Sequence, residues 1–226
     1  MRLLLTFVLS CCSLLCLADE VAPSLSVLTA VTTRQTDGGS SSRLQAGISA
    51  LYPTAYGALY WQDGEGGLAL PAPGGWLSLG VANEPIWSLG AVGVSQNLAV
   101  ARYGVDLPGD GALSVGYADR IGSGHPGQLI VANLDARLAT LGADSLRLWG
   151  WASLADRQRR QSLDHDTAGG EWSQEQSNLL LVWVHPFAPH WALDLGAGSR
   201  WGTDQNAGHT AGWQTLVGVT WSMDKR

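Results

Sequence analysis

The sequence predicts an all-β protein: a transmembrane antiparallel up-and-down β-barrel of about twelve strands, following an N-terminal signal peptide. Three observations carry this. From position 111 to 221 the chain runs in alternating segments of about ten residues, the length a tilted strand needs to cross a bilayer core. Tight connections and longer polar ones take turns between those segments, as in barrels with short turns at one end and long loops at the other. The composition combines 29 glycines and 11 tryptophans with only 14% charged residues, and no second long apolar run follows the first. Few charges and many aromatics argue against both disorder and a helical membrane protein.

The first run is a leader. Arg2 precedes an apolar stretch over 3–17 that ends in Cys16-Leu17-Ala18, so a secretory signal peptide over 1–18, with cleavage after Ala18, is expected. A membrane anchor is the alternative, but the run is short for a spanning helix and Asp19 and Glu20 follow at once. Val8-Leu9-Ser10-Cys11 only loosely resembles a lipid-attachment site. All three cysteines (Cys11, Cys12, Cys16) lie in this leader. The mature chain, residues 19–226, is then one barrel domain with no disulfide and no thiolate metal site. Removing the leader takes away Arg2 and no acid, leaving 12 basic against 19 acidic residues and no basic patch for nucleic acid.

The elements follow in order. The first strand is expected over 24–34, where Leu25, Val27, Thr29, Val31 and Thr33 share a face, and the Gly/Ser-rich run 36–42 reads as a loop. Shorter strand signals occupy 43–51, 54–62, 66–70 and 76–82, with breaks at Pro53 and at the cluster Pro71-Ala72-Pro73-Gly74-Gly75. Gly-rich strands specify register poorly, so ten strands is the alternative count. A bent strand over 90–106 precedes the turn Leu107-Pro108-Gly109-Asp110-Gly111. The six long segments are 112–120, 128–139, 145–155, 176–185, 191–201 and 211–221. Turns at 140–144 and 186–190 alternate with loops at 121–127, 156–175 and 202–210. No useful 3.6-residue apolar period occurs.

Alternation assigns faces. Ile130, Ala132, Leu134, Ala136 and Leu138 should meet lipid, while Asn133, Asp135 and Arg137 meet the lumen. Leu146, Leu148, Ala152 and Leu154 oppose Arg147 and Ser153; Trp191, Leu193, Leu195 and Ala197 oppose Asp194 and Arg200. In the last strand Trp213, Thr215, Val217, Val219 and Trp221 oppose Gln214, Thr220 and Ser222. Segment 176–185 is apolar on both faces and has no assigned side.

Four constellations bear on chemistry. Trp76, Trp149, Trp151, Trp183, Trp191, Trp201, Trp213 and Trp221 lie in or at the ends of strands, where indoles suit an interfacial girdle better than a sugar-stacking platform. Arg102, Asp106, Arg120, Asp135, Arg137, Arg147, Asp194 and Arg200 are expected to point inward and to pair there, as lumen filling or as a charge filter. Asp164-His165-Asp166, in a loop also holding Arg157, Arg159, Arg160, Glu171 and Glu175, has the residue types for a divalent ion or acid–base work, but a solvated loop is the preferred reading. Ser123 and His125 invite a nucleophile-and-base reading, yet the surrounding Ile-Gly-Ser-Gly-His-Pro-Gly is better explained as a turn. No phosphate loop, zinc motif or nucleotide fingerprint occurs.

Several phrases are similar to those of the MltA-interacting protein (MipA) / OmpV family of outer-membrane proteins. They are Tyr56-Gly57-Ala58-Leu59-Tyr60 followed by Gly64-Glu65-Gly66-Gly67-Leu68, then Pro73-Gly74-Gly75-Trp76-Leu77-Ser78-Leu79-Gly80, Asp110-Gly111-Ala112-Leu113-Ser114-Val115 through Arg120-Ile121-Gly122-Ser123-Gly124-His125-Pro126-Gly127, and His190-Trp191-Ala192-Leu193. The resemblance implies a non-enzymatic outer-membrane protein, in some members a scaffold linking a murein hydrolase to a synthase. It assigns no binding residue.

The sequence-based expectation is therefore a bacterial outer-membrane barrel with a structural or scaffolding role, contacting outer-membrane lipid and docking periplasmic murein enzymes, with no cofactor, metal or nucleic acid. A small-solute channel with an arginine-lined lumen is the alternative. An outer-membrane hydrolase using Ser123, His125 and His165 is a third reading. A soluble sandwich or lipocalin-like binder is the rival fold.

Overall fold

The structure is a computed structural model that describes residues 22–36, 39–62, 64–83, 97–121, 127–162, 171–204 and 208–223. Twelve strands follow one another: β1 Ser24–Thr36, β2 Gly39–Thr54, β3 Gly57–Gln62, β4 Glu65–Ala72, β5 Gly75–Asn83, β6 Asn97–Leu107, β7 Gly111–Arg120, β8 Gln128–Leu141, β9 Asp144–Asp156, β10 Trp172–Ala188, β11 Trp191–Asp204 and β12 Gly208–Ser222. Each pairs antiparallel with its neighbours in sequence, and β12 pairs with β1 to close the barrel. Closure leaves no sheet edge bare at that seam, which a membrane-spanning sheet requires.

Tight turns at 55–56, 73–74, 108–110, 142–143 and 189–190 lie at the same end as Ser24 and Ser222. The turn before β7 depends on left-handed backbone at Gly109 (φ 78°) and Asp110 (φ 61°), which glycine and aspartate tolerate best. The longer connections lie at the opposite, loop end.

The outer face is apolar. Leu77, Leu79, Val81, Tyr103, Leu113, Val115, Tyr117, Leu179, Leu181, Trp213 and Val217 are exposed large hydrophobics that alternate with buried neighbours. A closed sheet with its apolar side outward is the membrane-barrel arrangement, the reverse of a soluble sandwich. In β10 the even residues Leu180, Val182 and Val184 turn inward while Leu179 and Leu181 face out, which settles the faces of that segment.

Several expectations are corrected. The run predicted as a loop over 36–42 is mostly strand, because Gly39 to Ser42 pair with Thr36 to Thr33 and the hydroxyls of Thr33 and Ser42 hydrogen-bond at 2.9 Å. Pro53 and Pro71 lie near strand ends rather than separating strands: each is in the last pair but one before its turn, opposite Ala58 and Trp76 respectively. The 156–175 connection is shorter than expected. β9 runs to Asp156, a helix α1 spans Arg157–Ser162, and β10 begins at Trp172. β11 and β12 likewise extend to Asp204 and back from Gly208, into the span read as a loop.

Candidate functional site

The lumen is built from the inward-facing residue of every second position, and it has four distinguishable parts. At the turn end, Arg147 Nε donates to Asp135 Oδ1 at 2.9 Å, and its Nη2 donates to the Asp110 carbonyl at 2.8 Å. Arg137 pairs with the Asp110 carboxylate. These four groups tie the β6–β7 turn to β8 and β9 and ring that mouth with paired charge. Because Asp110 is largely exposed, this is a wet rim and contributes little to stability per pair.

Deeper in, the polar groups are dry. Arg102 on β6 pairs with Glu65, the first residue of β4, with side chains only 7% and 4% exposed. The Tyr60 hydroxyl donates to Glu65 Oε1 at 2.6 Å. Across the barrel, the Thr220 hydroxyl donates to the buried Asp194 carboxylate. Each buried charge has a partner, as burial in low dielectric demands.

Apolar side chains pack in two further clusters. Ala82, Leu98, Val100, Ala118, Leu129, Val131 and Ala155 form one buried cluster against which Trp151 packs. Leu180, Val182, Val184 and Ala192 form another, with Trp149. Trp76 lies over Gly104, where an added Cβ would stand 2.2 Å from the indole; only glycine leaves that ring its place. A lumen this apolar departs from the polar interior expected of such barrels.

At the loop end a short helix is held by charge. A bulge between Gln174 and Gln176 interrupts the β9–β10 register and turns Glu175 inward. Arg159 of α1 meets it, with Nε 3.3 Å from both carboxylate oxygens and Nη2 3.2 Å from Oε1. The Ser153 hydroxyl adds a contact at 3.4 Å. Asp156 caps the helix by accepting the Arg159 backbone N–H at 2.7 Å.

On the outer face, near the turn end, Asp144 accepts the Trp183 indole N–H at 3.0 Å and lies 2.7 Å from His185 Nδ1. A hollow of about 900 Å³ follows the paired row Asn133, Trp151, Asn178, Arg200 and Gly212 along β8–β12. Its described lining comes from β1 and β7–β12, seven consecutive strands around the barrel, and includes the lumen-facing positions of that row.

The sequence-based site residues fall as follows. Arg102, Arg120, Asp135, Arg137, Arg147, Asp194 and Arg200 all occupy inward positions of their strands, while Asp106 is exposed at the turn-end mouth. Trp183, Trp191, Trp201, Trp213 and Trp221 are on the outer face. Trp76, Trp149 and Trp151 are not: they share parity with Ser78, Arg147 and Ser153 and face the lumen, which removes them from the girdle. Ser123, His125, Asp164, His165 and Asp166 lie outside the described residues. Among the described residues, no three of His, Cys, Asp or Glu converge as a metal set. Sequence reasoning missed Glu65, Tyr60 and Glu175 as lumen groups. The first two sit in a Gly-rich span with weak register, and Glu175 shows its side only through the bulge.

The fold is that of a membrane-spanning barrel. No protein-family model matches this chain, and none of the curated proteins does. Among solved structures it is similar to Neisserial surface protein A, at 11% identity over 88% of this chain and 96% of that one, with a TM-score of 0.23. It is also similar to the β domain of the Bordetella autotransporter BrkA, at 12% identity over 89% and 99%, with a TM-score of 0.35. A third is Ail, the attachment invasion locus protein of Yersinia pestis, solved with the heparin analogue sucrose octasulfate, at 10% identity over 89% and 97%, with a TM-score of 0.22. The barrel assignment rests on this chain's own closed ladder and apolar outer belt.

Proposed function

We propose that this chain is a non-enzymatic barrel of the bacterial outer membrane, exported by a leader cleaved after Ala18, whose role is structural. Its turn-end rim docks periplasmic murein-remodelling proteins, the role that the resemblance to the MipA/OmpV family implies. The observation that carries the reading is how closely part of the interior is packed. Val131, Val182, Ala192 and Asp194, drawn from three different strands, are essentially without exposure, which argues for a wall rather than a passage. Meanwhile Tyr56, Leu141 and Phe187 stand exposed at the tight turns, on rigid backbone suited to a partner.

Photo-crosslinking residues placed at Tyr56 and Leu141 in cells should capture a murein hydrolase or synthase, whereas one placed at Gln158 of α1 should not. Equal capture from both ends, or none from the turns, would defeat the docking reading. A channel is the second reading, favoured by Arg137 and Arg147 at one mouth. It requires steady single-channel events in a planar bilayer, altered in conductance by Arg147→Ala.

A further inference from the structure

The lipid-facing side of the wall is nearly free of charge. Apart from Asp119 and Asp156 near the loop end, Asp144 and His185 are, among the described side chains, the only acids, bases or histidine at outward strand positions. The two belong together. Asp144 opens β9 and pairs with Leu141, and His185 on β10 pairs with Leu193. His185 Nδ1 stands 2.7 Å from Asp144 Oδ1, while Asp144 Oδ2 accepts the Trp183 indole N–H at 3.0 Å. The imidazole stacks on the Trp183 ring, with centroids 5.3 Å apart and 25° between the planes. The outward residues around them, Leu141, Leu146, Phe187, Trp191 and Leu193, are all apolar.

Ionisable side chains that face a membrane are costly, and their presence marks a site. The chemistry of this one follows from its hydrogen bonds. A carboxylate only accepts, so Nδ1 carries the hydrogen between His185 and Asp144, and the neutral ring then presents Nε2 as an acceptor. Nε2 meets no hydrogen-bond partner among the described residues, and the side chain is 43% exposed against 23% for Asp144. Both N–H groups of the cluster, on Nδ1 and on the Trp183 indole, are spent on the carboxylate. With the ring neutral the pair thus carries one negative charge and offers acceptors alone. Trp183, Trp191 and Trp221 set the depth, because indoles on the outer face collect at the interface and these three stand toward the turn end. The pair therefore lies level with the headgroups of the turn-side leaflet.

We propose that Asp144 and His185 form a binding site for a turn-side lipid whose headgroup bears a primary ammonium, as in phosphatidylethanolamine. The ammonium donates to the Asp144 carboxylate and to His185 Nε2, and stacking on Trp183 holds the imidazole in place for it. The acyl chains lie along Leu146 and Leu193. A choline headgroup brings the charge but no N–H to donate. A glycerol headgroup brings donors, but its phosphodiester leaves it net negative beside Asp144. The amine alone supplies both the donors and the charge that balances the phosphate.

The test uses the full chain folded into bilayer nanodiscs of equal parts phosphatidylethanolamine and phosphatidylcholine, released in a mass spectrometer and scored for the lipid that stays bound. The parent should retain phosphatidylethanolamine several-fold more often than phosphatidylcholine. In discs of phosphatidylglycerol and phosphatidylcholine it should show no preference for phosphatidylglycerol. Asp144→Asn removes the charge, and His185→Phe keeps a ring against Trp183 but removes Nε2; each should return the ratio to that of the bilayer. Asp119→Asn, at the loop end, should leave it unchanged, as should an excess of soluble ethanolamine. A heat-modifiability shift on gels checks that each variant is folded. Equal retention of the two lipids by the parent, an equal preference for phosphatidylglycerol, or a preference that survives both substitutions in folded protein would overturn the site. Loss of the preference in Asp119→Asn, or on adding soluble ethanolamine, would overturn it as well.

Discussion

Removing Arg102 is the sharpest test of how dry this interior is. Arg102 and Glu65 face each other almost fully buried, and Tyr60 supplies the other hydrogen bond to the carboxylate. Arg102→Met keeps the bulk of the stem but strands the Glu65 charge, and breaking a buried pair from one side costs about 3–5 kcal/mol. Glu65→Gln keeps its one carbonyl oxygen to accept from Arg102 and turns its NH2 toward the Tyr60 hydroxyl, which can accept in place of donating, so its expected cost is smaller, about 1–3 kcal/mol. The triple change Arg102→Met, Glu65→Leu, Tyr60→Phe removes every polar member together and should return to within about 2 kcal/mol of the parent. Urea unfolding of protein folded into vesicles, followed by tryptophan emission and by the heat-modifiable band, reads all three. If Arg102→Met alone unfolds within about 1 kcal/mol of the parent, Glu65 is solvated and the interior is not the packed environment inferred from its burial.

Further expectations are independent of that pair. Gly104→Val would drive a side chain into the Trp76 ring and should destabilise by about 1–3 kcal/mol, with recovery when Trp76→Ala is added; an unchanged midpoint would mean that Trp76 does not lie on the lumen face. Trp149→Phe removes a buried indole N–H that has no acceptor while keeping an aromatic ring, so stability should change by less than about 1 kcal/mol or rise; a loss above about 2 kcal/mol would reveal a hidden partner. Glu175→Ala leaves Arg159 buried without its carboxylate and should free α1, measured as faster tryptic cleavage at Arg157–Arg160 in intact vesicles. Unaltered cleavage would show that the ion pair does not hold the helix.

How far the sequence reached depends on how the ladder is specified. In β8 and β12 the period-two alternation is clean, and the residues assigned to lipid and lumen there occupy those faces. In β10 both faces are apolar, so the inward set Leu180, Val182, Val184 is fixed only by its register with β9 and β11. Glu175 was illegible for a related reason: a one-residue bulge reverses parity, and nothing local marks it. Gly39 to Ser42 look like a loop in isolation and become strand because β1 offers a complete ladder beside them. The three inward tryptophans were available from the alternation itself, since Trp149 and Trp151 keep step with Arg147 and Ser153. Indoles are so common at the membrane interfaces of such barrels that composition points to a girdle where parity points inward. The shortness of β3 and β4 beside β2 is a difference between strand lengths, a quantity that no single segment contains.

The seam between β1 and β12 governs when this protein can become a barrel at all. Every other strand pairing joins neighbours along the chain and can form as soon as its hairpin exists. The last one joins eleven residues of the first strand, Ser26 to Thr36, to Ser222 through Gly212 of the last. Until the carboxyl-terminal strand arrives, β1 waits with one edge unsatisfied, and a lipid environment cannot tolerate that edge. Closure and insertion are thus coupled late events. The two ends of the chain act in them as one unit: a slip of one residue at Thr33 would turn the whole Trp213–Trp221 face from lipid to lumen.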